Sequence, residues 1–312
     1  MARRAGLTFD DRGLGQHRSG AEQTLAKAPR SRLDDLLLEQ GLLPDLKTAQ
    51  GWIMAGKVVV DGKVVTTPGT RLPETADVHL RDLPLRFASR GGYKLERALD
   101  EFSIVVAGLT CLDAGACTGG FTDCLLQRGA ATVHAVEVGY GQLRGRLASD
   151  PRVLSRERTN IGALAREDLV PPIDFAAADL SYLSLAKAVP ILAALFERPL
   201  HAVCLVKPLY EGLDQGRMTE APALEATLAR LLADLDGLAL PASGLCVSPI
   251  LGGRGAVEFL AHFQAGRRLE PEVVLAQGMA DLARRSPLDF AAFWRLDQDN
   301  RPAGDDPSPS RP

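Results

Sequence analysis

Seven short apolar runs, alternating with helical stretches between Arg90 and Gln264, constrain the fold of this chain more than any other feature. They are Leu109 to Asp113, Thr132 to Glu137, Val153 to Ser155, Ile173 to Ala177, Ala202 to Val206, Gly244 to Val247 and Glu258 to Phe263. Short buried strands separated by amphipathic helices predict an α/β fold whose mostly parallel sheet is covered on both faces. One more helix is expected from Pro271 to Arg285, since proline suits the first helical turn, where its missing N–H has no helical partner to lose.

A chain of 312 residues has room for that domain and a smaller companion. Residues 31–82 supply the companion: Leu33, Leu36 and Leu37 mark one helix, a second short helix lies near Lys47 to Met54, and Lys57-Val-Val-Val60, Asp61-Gly62 and Lys63-Val-Val65 follow. Asp-Gly between two β-branched runs signals a tight hairpin, because a type I′ turn needs positive φ at both central positions. The expected order is helix, helix, hairpin, strand, a small α+β unit. The chain thus divides into a tail over residues 1–30, a small domain over 31–82, a large domain over 83–268, and a C-terminal helix with its tail over 269–312. Both tails lack periodicity and are expected to be disordered.

Several classes fall away on composition. No apolar run approaches the roughly 20 residues that cross a bilayer. Asp10-Asp11 also arrives where a signal peptide needs its apolar core, so a cytoplasmic location is expected. The five cysteines form no Cys-x-x-Cys pair and the five histidines add no zinc set, so no structural metal is expected. Cys111, Cys204 and Cys246 sit in strand-like runs and read as buried reduced thiols. A net charge of −3 argues against a nucleic-acid footprint over the whole surface and leaves room for a local basic patch.

The first strand runs into Asp113-Ala-Gly115-Ala-Cys117-Thr118-Gly119-Gly120, and a helix from Phe121 to Arg128 follows. Strand, glycine-rich loop and helix in that order make a ligand site at the carboxyl end of an open α/β sheet. The glycine spacing is not the dinucleotide fingerprint, and no Gly-Lys-Ser/Thr follows as a P-loop requires. Glu137 closes the next strand, where a carboxylate can accept both hydroxyls of a ribose. This combination resembles motif I and the acidic ribose clamp of S-adenosylmethionine-dependent methyltransferases. The resemblance implies S-adenosyl-L-methionine as cofactor, held by Asp113, Gly115, Ala116, Cys117, Thr118, Gly119, Gly120 and Glu137, with the helix N-terminus favouring its carboxylate. Asn160 stands where relatives place adenine contacts and serves equally well as a helix cap.

The match narrows over Ser89-Arg-Gly-Gly-Tyr-Lys-Leu-Glu96, Gly119-Gly-Phe-Thr-Asp-Cys124, Val138-Gly-Tyr-Gly-Gln-Leu143, Glu157-Arg-Thr-Asn160 and Ser248-Pro-Ile250. These segments resemble the TlyA family of ribosomal RNA 2′-O-methyltransferases, from about Ser31 to Phe263. The resemblance implies a Rossmann-like class I methyltransferase with a seven-stranded sheet. Over the small domain, Arg32-Leu-Asp, Ala49-Gln50 and Ile53-Met-Ala-Gly56-Lys-Val-Val-Val60-Asp-Gly62 resemble the RNA-binding domain first seen in ribosomal protein S-four, whose second helix and hairpin form the RNA face. Arg32, Lys47, Lys57, Lys63 and Arg90 are the RNA contacts this implies, and ribosomal RNA or ribosomal subunits the partner. Residues 31–82 hold six basic side chains against eight acidic ones. The domain therefore grips RNA less firmly than its relatives or uses Lys47, Lys57 and Lys63 as a narrow stripe.

That family and the related FtsJ-type enzymes carry a Lys-Asp-Lys-Glu tetrad, and the matching positions here are Lys94, Asp179, Lys207 and Glu258. A ribose 2′-hydroxyl is a weak acid and a poor nucleophile, so the enzyme must mainly deprotonate and align it. Lys207 is the expected general base. A free lysine has a pKa of about 10.4, and burial beside Lys94 is expected to depress it. Asp179 then accepts the proton and holds the amine, while Lys94 and Glu258 orient the hydroxyl. Departures from the family pattern, in Leu213 to Glu220, Ala178-Asp-Leu-Ser-Tyr182 and Gly253-Arg-Gly-Ala256, line the substrate side. They keep open a paralogue that methylates a small-molecule hydroxyl. A base N-methyltransferase is a further alternative, since Asp179-Leu-Ser-Tyr182 loosely resembles an Asp-Pro-Pro-Tyr loop. A pure RNA-binding regulator would need neither Glu137 nor the tetrad. Membrane lysis, implied by the haemolysin names of some relatives, lacks the cationic amphipathic helix it requires.

Overall fold

The computed structural model of the chain describes residues 30–39, 42–43, 45–73, 76, 78–80, 85–181, 183–288 and 292–293. The tail expectations for residues 1–29 and 294–312, and Tyr182 of the substrate-side loop, lie outside the described residues.

In the N-terminal part, β1 (Arg30–Arg32) leads into α1 (Leu33–Glu39) and α2 (Leu46–Met54), followed by β2 (Val58–Val60), β3 (Lys63–Val65), β4 (Arg71–Pro73) and β5 (Val78–Leu80). Asp45 caps α2 by accepting the backbone N–H of Thr48 at 2.8 Å, which satisfies one of the donors a helix start leaves without a partner. At the hairpin Asp61 and Gly62 both take positive φ, 47° and 78°, as the Asp-Gly pair requires. β2 pairs antiparallel with β3 and β5, and β1 pairs antiparallel with β4. Leu33, Leu37, Ala49, Ile53, Val58 and Val60 close a small core between helices and hairpin.

The larger part begins with α3 (Gly91–Glu101). It continues through β6 (Thr110–Ala114), α4 (Gly120–Gln127), β7 (Thr132–Val136), α5 (Gly145–Ala148), β8 (Val153–Arg156), β9 (Phe175–Ala178), α6 (Leu185–Ala194) and β10 (His201–Val206). It closes with α7 (Ala221–Gly237), β11 (Gly244–Val247), β12 (Phe259–Gln264) and α8 (Pro271–Arg284). The sheet runs β11-β12-β10-β9-β6-β7-β8, parallel from β10 to β8, with β12 antiparallel to both its neighbours. This is the seven-stranded, mostly parallel α/β architecture expected from the apolar runs.

Strand alternation builds two layers, because successive side chains point to opposite faces. Phe175 and Ala177 of β9 join Cys111, Val203 and Leu205 beneath α3 and α4, packing on Leu95, Leu99 and Leu125. Ala176 and Ala178 turn the other way, with Leu112, Cys204 and Val206, toward Ala188, Val189 and Leu192 of α6 and Leu228 and Leu231 of α7. Each fully buried leucine or phenylalanine in these layers stabilises the fold by about 1.5–3 kcal/mol relative to exposure. α8 lies so close on β11 that a Cβ at Gly278 would meet Leu245 Cδ2 at 2.4 Å, which explains a glycine inside a helix.

Candidate active site

β6 pairs with β7 on one side and β9 on the other, and the chain order reverses between β6 and β9. A crevice opens at the carboxyl ends of strands at such a switch point. The loop after β6 is tied down by Gly115 and Ala116, whose N–H groups both donate to Val136 O, at 2.9 and 3.0 Å. The loop after β9 is tied to the same place, since Asp179 N donates to Ala114 O at 2.9 Å. Gly115 has φ 87°, and a Cβ there would lie 2.3 Å from Asp179 O. Only glycine allows the two loops to approach this closely.

Asp113 is fully buried and accepts from Thr122 N at 2.8 Å and Thr122 Oγ1 at 2.6 Å. Burial nevertheless pushes its carboxyl up to about 7, and its Oδ1 has no hydrogen-bond partner. It bolts β6 to the first turn of α4, behind the loop. Glu137 accepts from Cys117 N at 2.9 Å through Oε2 and from Gly139 N at 2.7 Å through Oε1. Asn160 accepts from Gly162 N at 2.9 Å and so caps a short turn, the second of its two expected roles.

Two clefts adjoin here. One, of about 230 Å³, lies among the turn before α3, the loop after β6, Asp179 and the backbone of residues 251–253. The other, of about 580 Å³, is lined by Lys207, Leu209, Tyr210, Gln215, Gly253 and Glu258 among others. Gly253 borders both. Lys94 on α3 forms an ion pair with Glu258, just before β12, and both are largely buried. Lys207, just after β10, lies 2.6 Å from Asp179 Oδ1 and donates to Ser181 Oγ at 3.3 Å. The two ion pairs stand on the walls of the two clefts.

The electrostatics of Lys207 differ from the sequence expectation. Burial alone lowers its proton affinity, but the charge and hydrogen bond of Asp179, and then the charge of Glu258, outweigh burial and raise it above the usual lysine value. Lys207 is therefore an ammonium at neutral pH. The expected depression considered burial and the Lys94 cation; the Asp179 carboxylate expected to hold the amine, with Glu258 beside it, reverses the direction.

Arg90 lies on the smaller cleft, where burial lowers its pKa and Glu258 opposes that change. Arg32 is engaged by Asp34, at 2.9 and 2.6 Å. The Lys57 ammonium sits 5.2 Å from the centre of the Trp52 ring. Lys47 and Lys63 are exposed on α2 and β3. Cys111, Cys124, Cys204 and Cys246 are buried thiols, whereas Cys117 is exposed on the smaller cleft. Ser89, Ser181, Tyr210 and Leu251 also border the site, and none stood out as a site residue in the sequence. Ser181 alone had a local signal, two residues after Asp179 at a strand end.

Among the described residues no helix is long and apolar enough to cross a membrane. A family model described as FtsJ-like methyltransferase matches residues 87–264, and an S4 domain model matches residues 31–78. The chain is 39% identical over 265 residues to the 16S/23S rRNA (cytidine-2′-O)-methyltransferase TlyA of Mycobacterium tuberculosis, covering 83% of this chain and 98% of the relative. It is 34% identical to Hemolysin A of Brachyspira hyodysenteriae, covering 74% of this chain and 99% of the relative. A solved structure named "Putative hemolysin from Streptococcus thermophilus" superposes with a TM-score of 0.61 at 34% identity, covering 83% of this chain and 98% of that one.

Proposed function

Because the chain belongs to the FtsJ-like methyltransferase family, and with its S4 domain to the TlyA group within it, we propose that it transfers a methyl group from S-adenosylmethionine to a ribose 2′-hydroxyl of ribosomal RNA. The relative from M. tuberculosis is named for cytidine, and cytidine is the proposed nucleoside here. Ribosomal RNA or a ribosomal subunit is the proposed partner, and the cytoplasm the proposed location. The observation that carries the reading is the placement of two lysine–carboxylate pairs on the walls of two adjoining clefts.

The smaller cleft fits the methyl donor. A Cβ at Gly253 would enter open space rather than meet protein atoms, and the first turn of α4 borders the cleft, where a helix N-terminus favours a carboxylate. Glu137 accepts one amide on each oxygen, and a carboxylate oxygen keeps a second lone pair for a ribose hydroxyl. When bound, the donor supplies an electrophilic methyl group on a sulfonium. The protein's task is to remove a proton and hold the hydroxyl in line.

Lys207 and Asp179 perform the first part as a relay. The 2′-hydroxyl O–H bond breaks and its proton goes to Lys207 Nζ as Lys207 passes one of its own protons to Asp179. Lys207 remains an ammonium beside the forming alkoxide, which it stabilises. Lys94, held by Glu258, adds a second fixed positive charge. General base catalysis of this kind contributes about 10²–10⁴-fold, and alignment supplies the remainder. Incubating the protein and labelled S-adenosylmethionine with ribosomal subunits, naked ribosomal RNA and a small-molecule extract tests the reading. Label in a 2′-O-methylated nucleoside is the expected result; label only in a base or a metabolite would refute it.

A further inference from the structure

We propose that Leu288 and Phe293, downstream of α8, are positioning residues for the donor site, acting on both ends of the Lys94–Glu258 pair. The inference rests on the donor site assigned above. Leu288 forms a one-residue bridge with Ile250. Leu251 N donates to Leu288 O at 3.0 Å, and Leu288 N donates to Pro249 O at 3.1 Å. The stretch so fixed is the one that reaches the cleft: Leu251, Gly252 and Gly253 line it. Gly252 sits against Glu258, since a Cβ there would lie 2.2 Å from Glu258 Oε1.

Phe293 packs edge-on against Tyr93, ring centres 5.0 Å apart. Tyr93 precedes Lys94 on α3 and is itself packed on Phe87 at 5.0 Å, while its hydroxyl accepts from Arg86 N at 3.1 Å. Leu288 therefore touches the loop behind Glu258, and Phe293 the helix turn that carries Lys94. α8 anchors the approach to Leu288: Asp281 accepts from Arg97 on α3 and, at 3.0 Å, from Val247 N on β11. None of these residues reaches the reacting atoms, so their effect passes through Lys94, Glu258 and the 251–253 wall.

The test uses the full chain with Phe293→Ala, Leu288→Pro and Phe293→Leu. Proline at 288 removes the N–H that donates to Pro249. Calorimetric titration with S-adenosylmethionine, in the absence of RNA, is expected to show about three- to tenfold weaker binding for Phe293→Ala and Leu288→Pro, with Phe293→Leu recovering most of the loss. Thermal unfolding is read alongside. Donor affinity equal to wild type in both variants, whether or not the unfolding temperature falls, would overturn the proposal. Since the titration contains no RNA, a protein that binds donor yet methylates no RNA would sink the functional reading and leave this test intact.

Discussion

Gly252→Ala perturbs the site without altering any ionisable group. Gly252 has φ −73°, which alanine adopts freely, so the objection to a side chain is space alone. Its Cβ would lie 2.2 Å from Glu258 Oε1 and 2.4 Å from Glu258 Cδ. An ordinary contact begins near 3.4 Å, so the carboxylate must retreat by about 1 Å, a displacement that can cost on the order of 10²-fold in rate when it moves catalytic groups. Glu258 cannot swing aside cheaply, because it is 6% exposed and paired with Lys94. Overpacking of this size costs about 1–3 kcal/mol of stability. The expected outcome is a kcat roughly 100-fold lower, measured by transfer of labelled methyl to RNA, with a folded protein by circular dichroism. A double variant with Glu258→Ala restores the space, so it should be no slower than Glu258→Ala alone. Wild-type turnover in Gly252→Ala, or multiplying losses in the double variant, would show that Gly252 does not seat the Glu258 carboxylate.

Asp179→Asn removes the proposed proton acceptor and the strongest opponent of burial at Lys207, so the lysine pKa falls. Wild-type kcat/KM should be level from about pH 7 to 9, while the variant starts about 10²-fold lower and climbs with pH as its lysine becomes neutral; identical profiles would contradict the relay. Asp281→Ala leaves the Val247 N–H and part of Arg97 without a partner, but Arg97 keeps its ion pair with Glu101, so the cost in urea unfolding should be about 1–3 kcal/mol; no measurable loss would show the cluster to be dispensable. Lys63→Ala should shallow the salt dependence of RNA affinity by about 0.7–0.9 in log–log slope, and an unchanged slope would remove that lysine from the RNA face.

The large sheet was legible in the sequence because its strands are buried on both faces and read as continuous apolar runs, as in Phe175–Ala178. Edges moved by one or two residues: the first strand is Thr110–Ala114 rather than Leu109 to Asp113, and the last helix ends at Arg284 rather than Arg285. Asp61-Gly62 announced its turn through backbone chemistry alone. The β1–β4 pairing escaped notice, because Arg30–Arg32 is three polar residues whose partner lies 41 positions away. Within the site, Asp113 and Glu137 were visible from their places at strand ends, but the Thr122 bonds that hold Asp113 were not. Lys94 and Glu258 are 164 residues apart, and no local pattern foretells their pairing. The ammonium state of Lys207 follows from that same three-dimensional gathering of carboxylates.

In the proposed reaction Lys207 and its three charged companions move a methyl group onto a ribose oxygen. Digestion of ribosomal RNA to nucleosides after reaction with labelled donor, with wild type and Lys207→Ala side by side, reads that transfer. Labelled 2′-O-methylcytidine is expected from wild type, with a loss of at least about 10²-fold in the variant. Equal label from both proteins, or label on the base, would contradict it.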